Sequence, residues 1–261
     1  MSGSVASPPD TGRRGLQAVI RLDGFRRLWI GQIFSQLADK FYIVLMVFLI
    51  AQHWVIQDAQ SSGAMAEVAS AIRMDIETRA QRITLLATGV YVANTVPAVL
   101  LGMLAGVWAD RWPKRRVMVA SNAMRALLVL LAPVCLLPGP ELLGLSWGYW
   151  ALLLMTFLES VLTQFFAPAE QAAIPLLVPN KLLLAANSLY QATSMAATIV
   201  GFALGQPILR LLNQSFASLG LSGGEFLLLP FCYGMAALSL STIRLSETPS
   251  RSNTIGIAEE I

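Results

Sequence analysis

Four ionisable side chains lie inside long apolar runs: Asp39 and Lys40 in 28–51, Arg125 in 117–137 and Glu159 in 149–166. Asp39 follows Arg27 by about twelve residues, which at 1.5 Å per helical residue is ~18 Å, close to the middle of a bilayer. Glu159 is similarly deep, and Arg125 lies about nine residues into its run. Charges at such depth are expensive in lipid and usually mark substrate or proton paths. A carboxyl at Asp39 or Glu159 can take a proton from one side and release it to the other. A structural ion pair, such as Glu159 with Lys40 or Arg125, fits the same residues, because buried charges pair whether or not they act.

Uncharged polar residues extend these positions into stripes. Asp39 shares a face with Gln32, Ser35 and Gln36. The run 83–109 carries Thr88, Tyr91, Asn94 and Thr95, and the run 149–166 carries Thr156, Ser160, Thr163 and Gln164. In 183–209, Asn187, Gln191, Ser194 and Thr198 follow the i, i+4, i+7, i+11 spacing of one helix face. Such groups can simply bond neighbouring helices to each other. Stripes on four runs predict more, namely a shared polar cavity, with the runs 117–137 and 226–243 packed outside it.

Other chemistries fail on context. Gly144-Leu-Ser146-Trp-Gly148 spells a nucleophile elbow, but no histidine follows it and the only one in the chain is His53. Cys135 and Cys232 sit in apolar runs, which does not indicate a disulfide framework. Asn213-Gln-Ser215 is a sequon whose meaning depends on a secreting eukaryotic context. No phosphate-binding glycine loop is present, and no catalytic residue, metal or cofactor is expected.

The elements that must position the polar residues are membrane helices. Of 261 residues, 56% are hydrophobic and only 13% charged, with mean hydropathy +0.63. That charge is too sparse for a soluble surface, where about 25% is usual. Six spans are expected, at about 28–51, 83–109, 117–137, 149–166, 183–209 and 226–243, within a transmembrane domain 25–244. Residues 1–24 are expected to form a disordered tail ending in an interfacial segment at 16–25, and 245–261 a second tail or the start of a linker. No removable signal peptide is expected before the first span. Between 53 and 82, Met65, Val68, Ile72 and Ile76 share a face, and Arg73–Glu77 and Asp75–Arg79 are i,i+4 pairs, which predicts a short amphipathic helix outside the membrane. The cations concentrate before the first span, between the second and third, and after the last. That bias places both termini in the cytoplasm.

The stretch 102–116 joins two of these spans. Gly102 and Gly106 fall on one helix face and would let a neighbouring backbone approach closely. Asp110 and Arg111 leave the hydrocarbon, Pro113 stops the helix, and Lys114, Arg115 and Arg116 follow. Gly106, Asp110, Arg111, Lys114 and Arg115 resemble the signature loop between helices 2 and 3 of the major facilitator superfamily, with Pro113 in place of the pattern's second glycine. The resemblance implies a gating loop that latches the two halves of a transporter. Gly31-Gln32-x-x-Ser35-x-Leu37-x-Asp39 resembles the first helix of the macrolide and siderophore exporter branch and of the lysophospholipid transporters. Phe166-Ala167-Pro168-Ala169-Glu170-Gln171 through Asn187 resembles the turn between helices 4 and 5 in the same branches. Gly201-Phe-Ala-Leu-Gly205 is similar to the exporter motif of helix 5, with Phe202 replacing its proline. The fourth span also lacks the arginine of many proton-coupled members.

The expected molecule is therefore an all-α membrane protein. Its six helices form two three-helix repeats, half of a twelve-helix transporter whose other half is a missing carboxy-terminal segment or a second copy. It is expected in a bacterial inner membrane, as a secondary active transporter, not an enzyme. Alternating access is expected to move a small amphiphilic organic molecule outward in antiport, with no nucleic-acid partner. A lysophospholipid flippase, a non-transporting membrane interaction protein and a truncated half-transporter are the alternatives. The expected cavity and coupling residues are Asp39, Lys40, Glu159, Arg125, Gln32, Gln36, Asn94, Gln164, Asn187 and Gln191.

Overall fold

A computed structural model describes residues 11–55, 68–220 and 223–245. The chain runs through α1 (Thr11–Ile20), α2 (Asp23–Leu49), α3 (Val68–Arg111), α4 (Lys114–Leu130), α5 (Trp147–Leu177), α6 (Leu183–Ser218) and α7 (Leu228–Ser241). Six of its helical segments, all but α1, are long and apolar enough to cross a membrane.

The helices pack in the sequence α3, α5, α4, α7, α2, α6, each against the next. This order is symmetric. Exchanging α2, α3, α4 for α5, α6, α7 turns the α2–α6 contact into α5–α3 and the α2–α7 contact into α5–α4, and leaves α4–α7 unchanged. Two three-helix repeats therefore clasp each other, and Asp39 on α2 and Glu159 on α5 occupy the first helix of each. Small residues allow the close contacts: a Cβ on Gly31 would lie 2.8 Å from Leu240 of α7, and one on Gly201 of α6 would collide with the stem of Lys40.

Several helix ends differ from expectation. The tail is helical from Thr11: Leu16, Val19 and Ile20 form an apolar stripe, and Val19 is fully buried. The separate amphipathic helix is absent from residue 68 onward, because α3 runs unbroken for 44 residues, about 66 Å. Met65 lies outside the described residues. Within the 166–187 stretch expected as the turn between two helices, the chain turns only at 178–182, and helix continues past the expected end at 166 to Leu177. Alanines around Pro168 favour it, and Ala169, Ala173 and Ile174 bury a face of α5 as far as the turn at Val178. Prolines inside α3, α5 and α6 are tolerated where neighbouring helices and side chains satisfy freed backbone groups. The elbow-like Gly144–Gly148 is a hairpin between β1 (Glu141–Leu142) and β2 (Leu145–Ser146), turning at Leu143 and Gly144 with φ of 55° and 75°. Ser146 then caps α5, accepting from the Tyr149 amide at 3.4 Å.

Two buried apolar clusters lie along the bundle. One gathers Phe41, Tyr42, Met46, Val129, Leu152 and Leu229; the other gathers Phe25, Leu28, Met118, Phe166, Ile174 and Leu240. Four polar residues lie where these two groups meet along their helices. Asp39 lies between Leu28 and Phe41, Arg125 between Met118 and Val129, Glu159 between Leu152 and Phe166, and Tyr233 between Leu229 and Leu240.

Candidate functional site

Arg125 centres this polar layer. Its side chain is fully buried, and Nη1 donates to Asp39 Oδ1 at 2.8 Å and lies 3.9 Å from Glu159 Oε1. Nη1 also reaches Thr163 Oγ1 at 3.5 Å, and Nη2 donates to Ser35 Oγ and to Asn122 Oδ1 at 3.3 Å each. The rings of Phe166 and Tyr233 stand 4.7 and 5.0 Å from the guanidinium carbon. A planar cation held by a fork of acceptors and by aromatic faces is the arrangement arginine suits and lysine does not.

Tyr233 completes the set. Its hydroxyl oxygen lies 2.8 Å from Asp39 Oδ1 and 2.9 Å from Glu159 Oε1. A phenol has one proton to donate. Its O–H can be shared between the two carboxylate oxygens, or given to one while a protonated second carboxyl donates to the phenol oxygen. In the second arrangement one carboxylate faces one guanidinium, and proton, carboxyl pair and arginine form one balanced unit. Asp39 is the exposed edge of it, with 20% of its side chain accessible against 4% for Glu159.

The expected residues divide into three groups. Asp39, Arg125 and Glu159 meet. Lys40 does not join them: consecutive residues on a helix point ~100° apart, and its stem lies on Gly201 of α6. Lys40 forms no ion pair among the described residues. The uncharged stripes mostly join helices. Gln32 donates to the Tyr190 carbonyl at 3.0 Å, Gln36 accepts from Ser194 at 3.4 Å, and the Asn94 carbonyl accepts from Ser160 at 2.5 Å. Gln164 turns back to the Ser160 carbonyl at 3.5 Å. Asn187 and Gln191 are exposed and, with Gln171 and Tyr190, line a pocket of about 380 Å³ between α5 and α6.

The loop 102–116 offers a different picture from the close approach expected there. A Cβ on Gly106 would meet nothing within 4 Å, and one on Gly102 only Gln164 Oε1 at 3.9 Å. The Asp110 side chain lies outside the described residues, Arg111 and Arg115 are exposed, and Lys114 is half-buried. Lys114, Arg115 and Arg116 occupy the first turn of α4, where the helix dipole disfavours cations. Helix stability therefore does not explain them. Trp112 stacks on Phe165 of α5 at 6.1 Å.

Two site residues escape a reading of the runs. α4 and α7, the helices expected outside the polar cavity, pack on each other, and their inward faces supply Arg125 with Asn122, and Tyr233. The signal for Tyr233 was a single phenol in an apolar run. The second is Glu170, fully buried on α5 and bonded to the Tyr190 hydroxyl at 3.0 Å.

Residues 28–254 match the model of the family described as Major Facilitator Superfamily. Two curated relatives, each named an uncharacterized MFS-type transporter, come from Mycobacterium bovis and Mycobacterium tuberculosis. Each is 31% identical over 113 residues, which are 43% of this chain and 24% of the relative. The matched stretch thus spans about a quarter of each relative's length. No solved structure matches the chain.

Proposed function

The chain belongs to the Major Facilitator Superfamily, and from that premise we propose that it serves as a proton-driven secondary transporter of small amphiphilic organic molecules. Alternating access moves the substrate outward in exchange for protons, and a second six-helix half supplies the other wall of the path. The observation that carries this reading is the Asp39–Tyr233–Glu159 arrangement around Arg125, two carboxyls facing one guanidinium; one proton on the pair balances the charge. Losing that proton leaves two carboxylates facing a single cation. Repulsion between them favours a different packing of α2 and α5, the first helices of the two repeats. Proton binding and helix position are then coupled, because each state of charge prefers its own packing. The partly exposed Asp39 is the point of entry and Tyr233 the bridge to Glu159.

The test is transport in everted vesicles holding the complete transporter, with ethidium as the amphiphilic cation. Asp39→Asn mimics a protonated carboxyl. It should abolish ethidium uptake driven by an imposed proton gradient and leave counterflow exchange intact. Undiminished gradient-driven uptake by a well-folded Asp39→Asn protein would remove Asp39 from the coupling role.

A further inference from the structure

We propose that Glu170 is a second proton-binding site, loaded from the pocket between α5 and α6 and separate from the Asp39–Arg125–Glu159 unit. The proposal deepens the proton-driven reading but concerns where a proton binds, not what is carried.

Glu170 lies eleven residues beyond Glu159 on α5, a rise of about 16 Å. Phe166, one turn before it, places its ring against Arg125. On α2 the corresponding level is Gln32, which holds the Tyr190 carbonyl, about 10 Å along the helix from Asp39. Glu170 is thus one layer removed from the central unit, toward the α5–α6 turn.

Its surroundings ask for a proton. The residue is 0% exposed. Oε2 accepts from the Tyr190 hydroxyl at 3.0 Å, and Oε1 is buried with no hydrogen-bond partner among the described residues. The titratable or charged groups acting on it are Tyr190 from α6, Arg125 from α4 and Asp39 from α2. Arg125 is already engaged with Asp39 and Glu159, and Glu170 has no ion-pair partner among the described residues. A buried carboxylate with one orphan oxygen and no cation bonded to it is a costly arrangement, and a proton on the carboxyl removes the charge.

A route is built in. Tyr190 both bonds Glu170 and lines the pocket, together with Gln171, Asn187 and Gln191. The pocket, about 380 Å³, holds several waters at about 30 Å³ each. In the loading step the O–H bond of Tyr190 breaks as its proton passes to Glu170 Oε2. A hydronium ion entering the pocket gives up one proton to form the new O–H bond on Tyr190 and is left as water. The net change is one proton moved from hydronium to Glu170, with the phenol unchanged.

Infrared difference spectra of the complete protein in lipid, recorded through a pH titration in the carboxylic-acid C=O region, test this. Wild type should show an acid band that rises as pH falls. That band should vanish in Glu170→Gln, shift in frequency in Tyr190→Phe, which keeps the carboxyl but removes its donor, and survive in Asp39→Asn. A full set of titrating bands in folded Glu170→Gln overturns the proposal. So does a Glu170 band that stays constant across the titration, which would describe a permanently protonated structural acid. Should Glu170→Gln not fold, Tyr190→Phe decides: a shifted titrating band supports the site, and unshifted bands overturn it. Asp39→Asn transport can fail or succeed independently of each of these outcomes.

Discussion

Tyr233 holds its hydroxyl 2.8 Å from Asp39 and 2.9 Å from Glu159, so that a residue of the last helix joins the acids of both repeats. Tyr233→Phe keeps the ring against Arg125 and removes only the bridge. An unsatisfied buried acceptor costs about 1–3 kcal/mol, and thermal unfolding in detergent should register a loss of that order. In everted vesicles the variant should lose gradient-driven ethidium uptake more than counterflow. Equal loss of both would mean that Tyr233 shapes the path and does not share the proton.

Arg125 is the one cation in this unit, and removing it leaves two acids without a partner. Arg125→Leu should destabilise the protein by about 3–5 kcal/mol, the usual result of breaking a buried pair from one side. Adding Asp39→Asn to Arg125→Leu should recover part of the loss, because the carboxylate nearest the missing guanidinium is then neutral. A double variant as unstable as the sum of the two single ones would show that Asp39 and Arg125 are not coupled.

The apolar runs made the six membrane helices legible, and charge inside them made Asp39, Arg125 and Glu159 stand out. Which cation meets which acid was not legible. Lys40 is next to Asp39 in sequence, but the helix turns it toward Gly201, while Arg125 arrives from a distant helix. Tyr233 was hidden because a phenol in an apolar run reads as core, and its hydroxyl matters only once α7 packs against α2. The fourth span was expected to end at 166, yet buried alanines on the α5 face carry the helix on to Leu177. Glu170 was obscured by the same expectation, since a carboxylate in a loop would need no partner.

The two glycines of the signature stretch and those of the bundle should respond oppositely to substitution. Gly201→Val places a side chain against the Lys40 stem and should separate α2 from α6, with a loss of about 1–3 kcal/mol typical of overpacking. Gly106→Ala meets no atom within 4 Å and should change thermal stability by less than about 0.5 kcal/mol. If Gly106→Ala nevertheless loses transport, the face it lies on works against something beyond the described helices. Unimpaired transport would leave Gly106 without a role in gating.

Asp110 offers a sharper test of that stretch. Asp110→Asn removes a charge with little change of shape, so insertion and thermal stability should persist. If the loop latches the two halves of the transporter, ethidium transport by the complete protein should be lost. Normal transport by Asp110→Asn would show that the latch role suggested by the signature residues does not extend to this chain.

Orientation can be read with thiol chemistry because both native cysteines, Cys135 and Cys232, are buried. Ala80 lies exposed on α3 before the apolar part of that helix, and Ser250 follows the last helix. The bias of arginine and lysine toward the stretches before α2, between α3 and α4, and after α7 favours the cytoplasm for those stretches. A cysteine at Ala80 should therefore react with a membrane-impermeant maleimide added to intact cells, while a cysteine at Ser250 should react only after the membrane is opened. Labelling in the reverse pattern would invert the molecule. It would also put the Gln171–Tyr190 pocket on the outer side, so that protons reaching Glu170 come from outside the cell.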